Sequence, residues 1–102
     1  PSLASSSSSS REAFLRREVV TLGVTLRRNR RQHRSCAHFK HLRMAERRVL
    51  RALDDPSQRE AARSSVRRAA LRVRALLAAG FFVPLATCWL AALARIHLLL
   101  DC

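Results

Sequence analysis

The sequence predicts an all-α protein, a small bundle of three to four mainly antiparallel helices. Alanine and leucine dominate an apolar fraction of 48%, and both are strong helix formers. Apolar residues recur three and four positions apart in four successive segments, which is the period of an amphipathic helix. The β-branched residues are too scattered to form strands. A length of 102 residues predicts one domain with a modest core.

The N-terminal segment 1–10, PSLASSSSSS, predicts a flexible lead-in, because serine-rich sequence buries little apolar area. Since its first residue is not methionine, we expect the chain to belong to a longer product. The remainder, 11–102, is predicted to form one helical domain. Its first helix should run from about Arg11 to Arg31, with Gly23 allowing a close contact or a kink. The apolar stripe of this helix is Leu15, Val19, Leu22 and Leu26.

The second and third helices are separated by a strong break at Asp54-Asp55-Pro56. Helix two should run from about Ser35 to Leu53, and helix three from Pro56 to about Ala79, where Gly80 stops it. The polar face of helix two carries a basic row of Lys40, Arg43, Arg47 and Arg51.

The fourth helix should run from about Pro84 to Leu100 and is apolar on nearly every side. The uncharged stretch 75–94 is long enough to span a bilayer, but Gly80 and Pro84 divide it between two helices. We therefore expect this helix to close the core or to meet a partner protein, and we expect no membrane contact.

The charge balance is strongly positive, with 20 Lys and Arg against 7 Asp and Glu and a net charge of +13. Every basic residue except Lys40 is an arginine, whose planar fork suits phosphate oxygens and stacks on bases. A GC-rich genome would explain arginine in place of lysine, but not the excess of positive over negative charge. The expected partners are phosphates, those of nucleic acid first and of anionic lipid second.

Positive charge is concentrated in residues 27–51, which hold nine arginines, one lysine and three histidines against the single acid Glu46. The arginines should position RNA through its phosphates, while Asn29, Gln32 and His33 should make the specific hydrogen bonds. A solvated basic face is the alternative. The predicted RNA-binding residues are Arg27, Arg28, Asn29, Arg30, Arg31, Gln32, His33, Arg34, Lys40, Arg43 and Arg47.

Zinc binding and catalysis are the two other chemistries that this segment suggests. His33, Cys36, His38 and His41 form the compact spacing H-x2-C-x-H-x2-H, but the second, separated ligand pair of a structural zinc site is missing. The sequence therefore predicts no metal and no cofactor. Its acids are scattered, and it has neither a phosphate-binding glycine loop nor a nucleophile motif, so we expect no enzyme activity. Three widely spaced cysteines predict no disulfide framework.

Arg28-Asn29-Arg30-Arg31-Gln32-His33-Arg34-Ser35, followed by Phe39-Lys40 and Leu42, resembles the signature of the protein subunit specific to ribonuclease MRP. The segment from Phe82 to Leu93-Ala94-Arg95-Ile96 is similar to the last apolar helix of that family. Arg31 departs from the family's second asparagine, and His38 and His41 stand where aromatic residues are usual.

The resemblance implies a non-catalytic helical subunit of a nucleolar ribonucleoprotein in which the RNA component is the catalyst. Such a subunit would hold the ribonuclease MRP RNA and neighbouring protein subunits while the particle processes precursor ribosomal RNA. Two alternatives stay open. One is a helical protein of a ribosome, an organellar ribosome included, and the other is a membrane-associated protein anchored by the fourth helix.

Overall fold

The computed structural model describes residues 2–101, and the surroundings of their side chains from Ser10 onward. The predicted all-α class is confirmed, since the described residues form five α-helices and one 3-10 turn and no strand. The elements are α1 (Ser2–Arg28), α2 (Arg30–His33), α3 (Ala37–Asp54), the 3-10 turn (Pro56–Gln58), α4 (Arg59–Ala78) and α5 (Val83–Leu100).

The helix count differs from the predicted three to four because the first predicted helix is divided at Asn29. There the backbone leaves the helical conformation and the side-chain Nδ2 donates to the Thr25 carbonyl at 2.8 Å. Asparagine side chains compete in this way with the helical backbone. The chain then makes one further turn, α2, before α3 begins.

The start of α1 also differs from the prediction, because the backbone is helical from Ser2 through the serine-rich segment. A flexible lead-in was expected over 1–10. Serine is only about 0.5 kcal/mol poorer than alanine in a helix, and extending an existing helix is far easier than nucleating one. A helix established in the packed part of α1 can therefore continue outward through serines. Pro1 lies outside the described residues.

The predicted breaks between the other helices are confirmed at residue level. The Asp55 carboxylate accepts hydrogen bonds from the Ser57 hydroxyl at 2.7 Å and the Ser57 amide at 3.1 Å, and these bonds hold the pKa of Asp55 below its usual value. Gly80 adopts φ 81°, and the Gly80 and Phe81 amides donate to the Leu77 and Leu76 carbonyls. That pair of bonds is the Schellman arrangement that ends a helix.

The four long helices form a closed ring, in which α3 contacts α4, α4 contacts α5, and α1 contacts both α5 and α3. Two side-chain pairs show that α1 and α5 are antiparallel: Thr25 with Trp89, and Glu18 with Arg95. The molecule measures 47 × 21 × 21 Å, a cross-section that fits helices packed two by two. Two ends result. The loop end carries α2 and the turn before α5, and the opposite end carries the break at Asp54–Gln58.

The core is built from the predicted apolar stripes. All four stripe residues of α1 are at most 5% exposed, and the central stripe residues of the other helices are buried as well. From α5 the fully buried side chains include Trp89, Leu93 and Ile96, so this helix closes the core as expected. By length and composition Val83–Leu100 also passes the test for a membrane span, and 33% of it is buried within the bundle.

Candidate nucleic-acid interface

The segment Arg27–Arg34, called the arginine loop below, connects α1 to α3 at the loop end. Its single helical turn is closed by hydrogen bonds from the His33 amide to the Asn29 carbonyl at 3.2 Å and from the Arg34 amide to the Arg30 carbonyl at 2.8 Å. The Cys36 amide then donates to the His33 carbonyl at 2.8 Å. Hydrogen bonds therefore fix the backbone of the loop. Its inner side faces the bundle and its outer side faces solvent.

Most of the predicted RNA-binding residues lie on the outer side, and nine of the eleven are exposed. Asn29 is half-buried and His33 is buried. The basic row of α3 starts less than two turns beyond the loop and is exposed throughout, and the loop and the row are together called the basic surface below. The exposed predicted residues are Arg27, Arg28, Arg30, Arg31, Gln32, Arg34, Lys40, Arg43 and Arg47.

Almost none of this basic surface is neutralised by carboxylates. Among the residues that the structure describes, Arg27 alone of the predicted set has an ion pair, with Glu46 at a long 3.9 Å. The basic residues of the set without an ion pair are Arg28, Arg30, Arg31, Arg34, Lys40, Arg43 and Arg47.

The acids pair elsewhere, towards the opposite end of the bundle. Asp101 lies 3.2 Å from Arg63, and Glu60 lies 3.4 Å from the same arginine. Glu18 pairs with Arg95, closer to the opposite end than to the arginine loop. The acids are thus concentrated away from the loop end. Uncompensated charge at the loop end produces a positive potential that attracts polyanions.

His33 requires a correction to the predicted site. It was expected to hydrogen-bond RNA, but its side chain is completely buried, and its Nδ1 lies 2.9 Å from Nε2 of His38. Its ring also packs edge-on against Phe82 at 4.5 Å and Trp89 at 5.4 Å between centroids. Because α2 is a single turn lying over the start of α5, one of its four side chains must face inward, and that side chain is His33.

The buried histidines are neutral at physiological pH. Desolvation lowers the pKa of His33, and desolvation together with the neighbouring His33 lowers the pKa of His38. Neutral imidazoles do not attract phosphate, which is a second reason to exclude His33 from the RNA contacts. The Nε2 atom of His33 is buried without a hydrogen-bond partner.

Three of the four residues that suggested zinc come together beside the arginine loop. One possible ligand atom from each of His33, Cys36 and His38 lies within 4.8 Å of the other two. His41 is half-buried and is not part of this cluster. The signal was the H-x2-C-x-H spacing itself. This spacing alone does not predict a zinc site, because a structural site usually takes a second ligand pair from a separated segment.

The described residues define a class: a basic all-α bundle with an arginine loop at one end. No family model, no curated protein and no solved structure matches the chain.

Proposed function

We propose that the chain is a non-catalytic, RNA-binding protein subunit of the ribonuclease MRP ribonucleoprotein. It holds the RNA component and neighbouring subunits during processing of precursor ribosomal RNA in the nucleolus. The observation that carries the proposal is the exposed basic surface of the arginine loop and α3, in which seven basic residues have no carboxylate partner among the described residues.

The shape of this surface supports a structured RNA as the ligand. Arginines of the loop project around a tight turn, whereas Lys40, Arg43 and Arg47 follow the axis of α3 over roughly 10 Å at 1.5 Å per residue. The two groups meet phosphates from different directions, which suits a folded RNA strand better than a straight duplex groove.

The residues that carry the family resemblance divide into two groups in the structure. Arg28, Gln32 and Arg34 are exposed, so an RNA could reach all three. Asn29 is half-buried and bonds to the Thr25 carbonyl, and His33 is buried, so these two shape the loop. A motif with both functions explains why polar residues of different kinds would be needed at adjacent positions.

The test is to tag the full chain, recover its complexes from cells at moderate salt, and sequence the retained RNA. Enrichment of one small non-coding RNA, the catalytic RNA of ribonuclease MRP, is the expected result. Enrichment of ribosomal RNA would instead make the chain a ribosomal protein or an assembly factor. A variant with Arg31→Ala and Arg34→Ala should retain less of the same RNA, which links the result to the arginine loop.

A membrane-associated protein is the second candidate, favoured by one observation: Val83–Leu100 is long and apolar enough to cross a bilayer. Against it, the same helix supplies Trp89, Leu93 and Ile96 to the core. Fractionation distinguishes the two. Release of the chain from a membrane pellet by high salt without detergent supports the RNA-binding proposal, whereas a requirement for detergent supports the membrane candidate.

A further inference from the structure

We propose that His33, Cys36 and His38 form a binding site for one zinc ion, which fastens the arginine loop to the start of α3. The three side chains come from a stretch of six residues, and their possible ligand atoms lie within 4.8 Å of one another. This site is distinct from the exposed basic surface and goes beyond the proposed RNA-binding function.

The separations of the ligand atoms are close to those of a loaded zinc site. Zinc binds nitrogen at about 2.0–2.1 Å and sulfur at about 2.3 Å, so ligand atoms at tetrahedral angles lie about 3.3–3.6 Å apart. The His33 and His38 nitrogens are at 2.9 Å, and no ligand pair exceeds 4.8 Å. These distances bracket the required value. Side-chain rotations that move the ligand atoms by about 1 Å or less bring them to the separations of a zinc site.

The donor set matches the chemistry of zinc, which combines imidazole nitrogen with thiolate sulfur. Burial lowers the pKa of both histidines, which favours the neutral rings. One of the two facing nitrogens carries the proton of their hydrogen bond, and this proton moves to the other nitrogen of the same ring when both facing nitrogens bind the ion. On binding, two Zn–N bonds and one Zn–S bond form. The two imidazoles bind as neutral ligands, and the Cys36 thiol releases its proton to solvent. One proton is therefore released for each zinc ion bound.

The surroundings hold the two histidines in place. His33 contacts Phe82 and Trp89, and His38 lies 5.9 Å from Trp89 between ring centroids. Phe82 adopts a left-handed backbone conformation, φ 51° and ψ 42°, which is unfavourable for a bulky residue. Its ring closes the pocket over His33, which is the contact that this strained conformation provides. An apolar shell of this kind strengthens metal–ligand bonds by excluding water.

Access and the fourth coordination position come from the side of Cys36. This residue is half-exposed at the start of α3, so an ion can reach the two buried nitrogens past its sulfur. Three protein ligands with water in the fourth position are the coordination of catalytic zinc sites, and the same coordination here needs no second ligand pair. The neighbouring arginines are exposed, so salt screens their repulsion, and the thiolate supplies one compensating negative charge.

The test measures zinc binding to the full chain after chelation of bound metal. Two variants are compared, Cys36→Ser and Cys88→Ser, because Cys88 is an exposed cysteine outside the cluster. Both also carry Cys102→Ser, which removes the third thiol. The parent and the Cys88 variant should bind one zinc per chain and release one proton. Free zinc at about 100 times Kd should raise Tm by about 10–20 °C. Cys36→Ser should weaken binding at least about tenfold, since loss of a ligand costs more than loss of an outer-shell contact.

Cobalt(II) provides a readout that a merely structural role of Cys36 would not move. The parent and the Cys88→Ser variant should show the thiolate-to-cobalt charge-transfer band and the visible bands of tetrahedral coordination, and Cys36→Ser should lack the charge-transfer band. Far-UV circular dichroism checks that both variants are folded. Binding of less than about one zinc per five chains, or equal affinity in the two cysteine variants, would overturn the proposal.

Discussion

Simultaneous replacement of Arg31 and Arg34 by alanine should reduce both RNA affinity and its salt dependence. Both side chains are exposed and lack an ion pair among the described residues, so their loss should not disturb the fold. If each neutralises one phosphate, the slope of log K against log salt becomes less steep by about 0.7–0.9 per residue. For the pair this is a change of about 1.4–1.8, which corresponds to a 15- to 30-fold loss of affinity at about 0.15 M salt.

The assay is fluorescence anisotropy of a labelled structured RNA, titrated with full-length protein at four or more salt concentrations. Arg16→Ala combined with Arg67→Ala is the matched control, because it removes the same charge from residues paired with Glu12 at 3.7 Å and Glu60 at 3.8 Å. Its slope should stay near that of the parent. An equal change in both variants would refute the reasoning, since net charge and not the arginine loop would then govern binding. An unchanged slope in the loop variant would remove both arginines from the interface.

Three further predictions concern the bundle itself. Leu42→Ala should lower the free energy of unfolding in urea by about 2–5 kcal/mol, because the side chain is fully buried; a loss below 1 kcal/mol would contradict its place in the core. Gly23→Ala should change stability by less than about 1 kcal/mol, since the new methyl meets the flexible side-chain ends of Glu46 and Arg27 and the gain in helix propensity offsets those contacts. A larger loss would show that these two side chains cannot move. In metal-free protein, the free energy of unfolding should be constant above about pH 7 and should decrease as the pH drops below 6.5, the ordinary pKa of histidine. The reason is that the pKa values of His33 and His38 are lowered in the folded protein, so the unfolded chain takes up protons first. Urea titrations between pH 5 and pH 8 check this, and a stability that rises on acidification would contradict neutral burial.

The helices could be predicted from sequence because each depends on local signals. Apolar spacing defined the stripes, Asp55 with Pro56 defined the break before α4, and Gly80 defined its end. These patterns act within one or two helical turns, so they can be read without knowledge of the tertiary structure. The exposed basic face of α3 follows by the same reasoning, since it lies opposite a buried stripe on one helix.

The loop could not be predicted in the same detail because its inner and outer sides depend on a contact distant in sequence. His33 lies in an arginine-rich segment and belongs to no apolar stripe, so the sequence predicts an exposed position for it. What buries it is the start of α5, through Phe82 and Trp89, about fifty residues further along the chain. The bond from Asn29 to the Thr25 carbonyl, at the point where α1 ends, likewise has no distinctive sequence pattern.

The burial of His33 affects the RNA binding that we propose for the loop end. A free arginine-rich segment must lose conformational entropy when it binds RNA, and that loss weakens binding. Here the loop is anchored near its end, where His33 of α2 packs against α3 and α5, while Arg30, Arg31 and Arg34 around it remain exposed. The conformational entropy of the loop backbone is lost during folding, so only the entropy of the side chains would be lost on the proposed binding of RNA. Zinc at His33, Cys36 and His38 would tighten the same anchor, so RNA affinity should increase on zinc addition without any contact between metal and RNA.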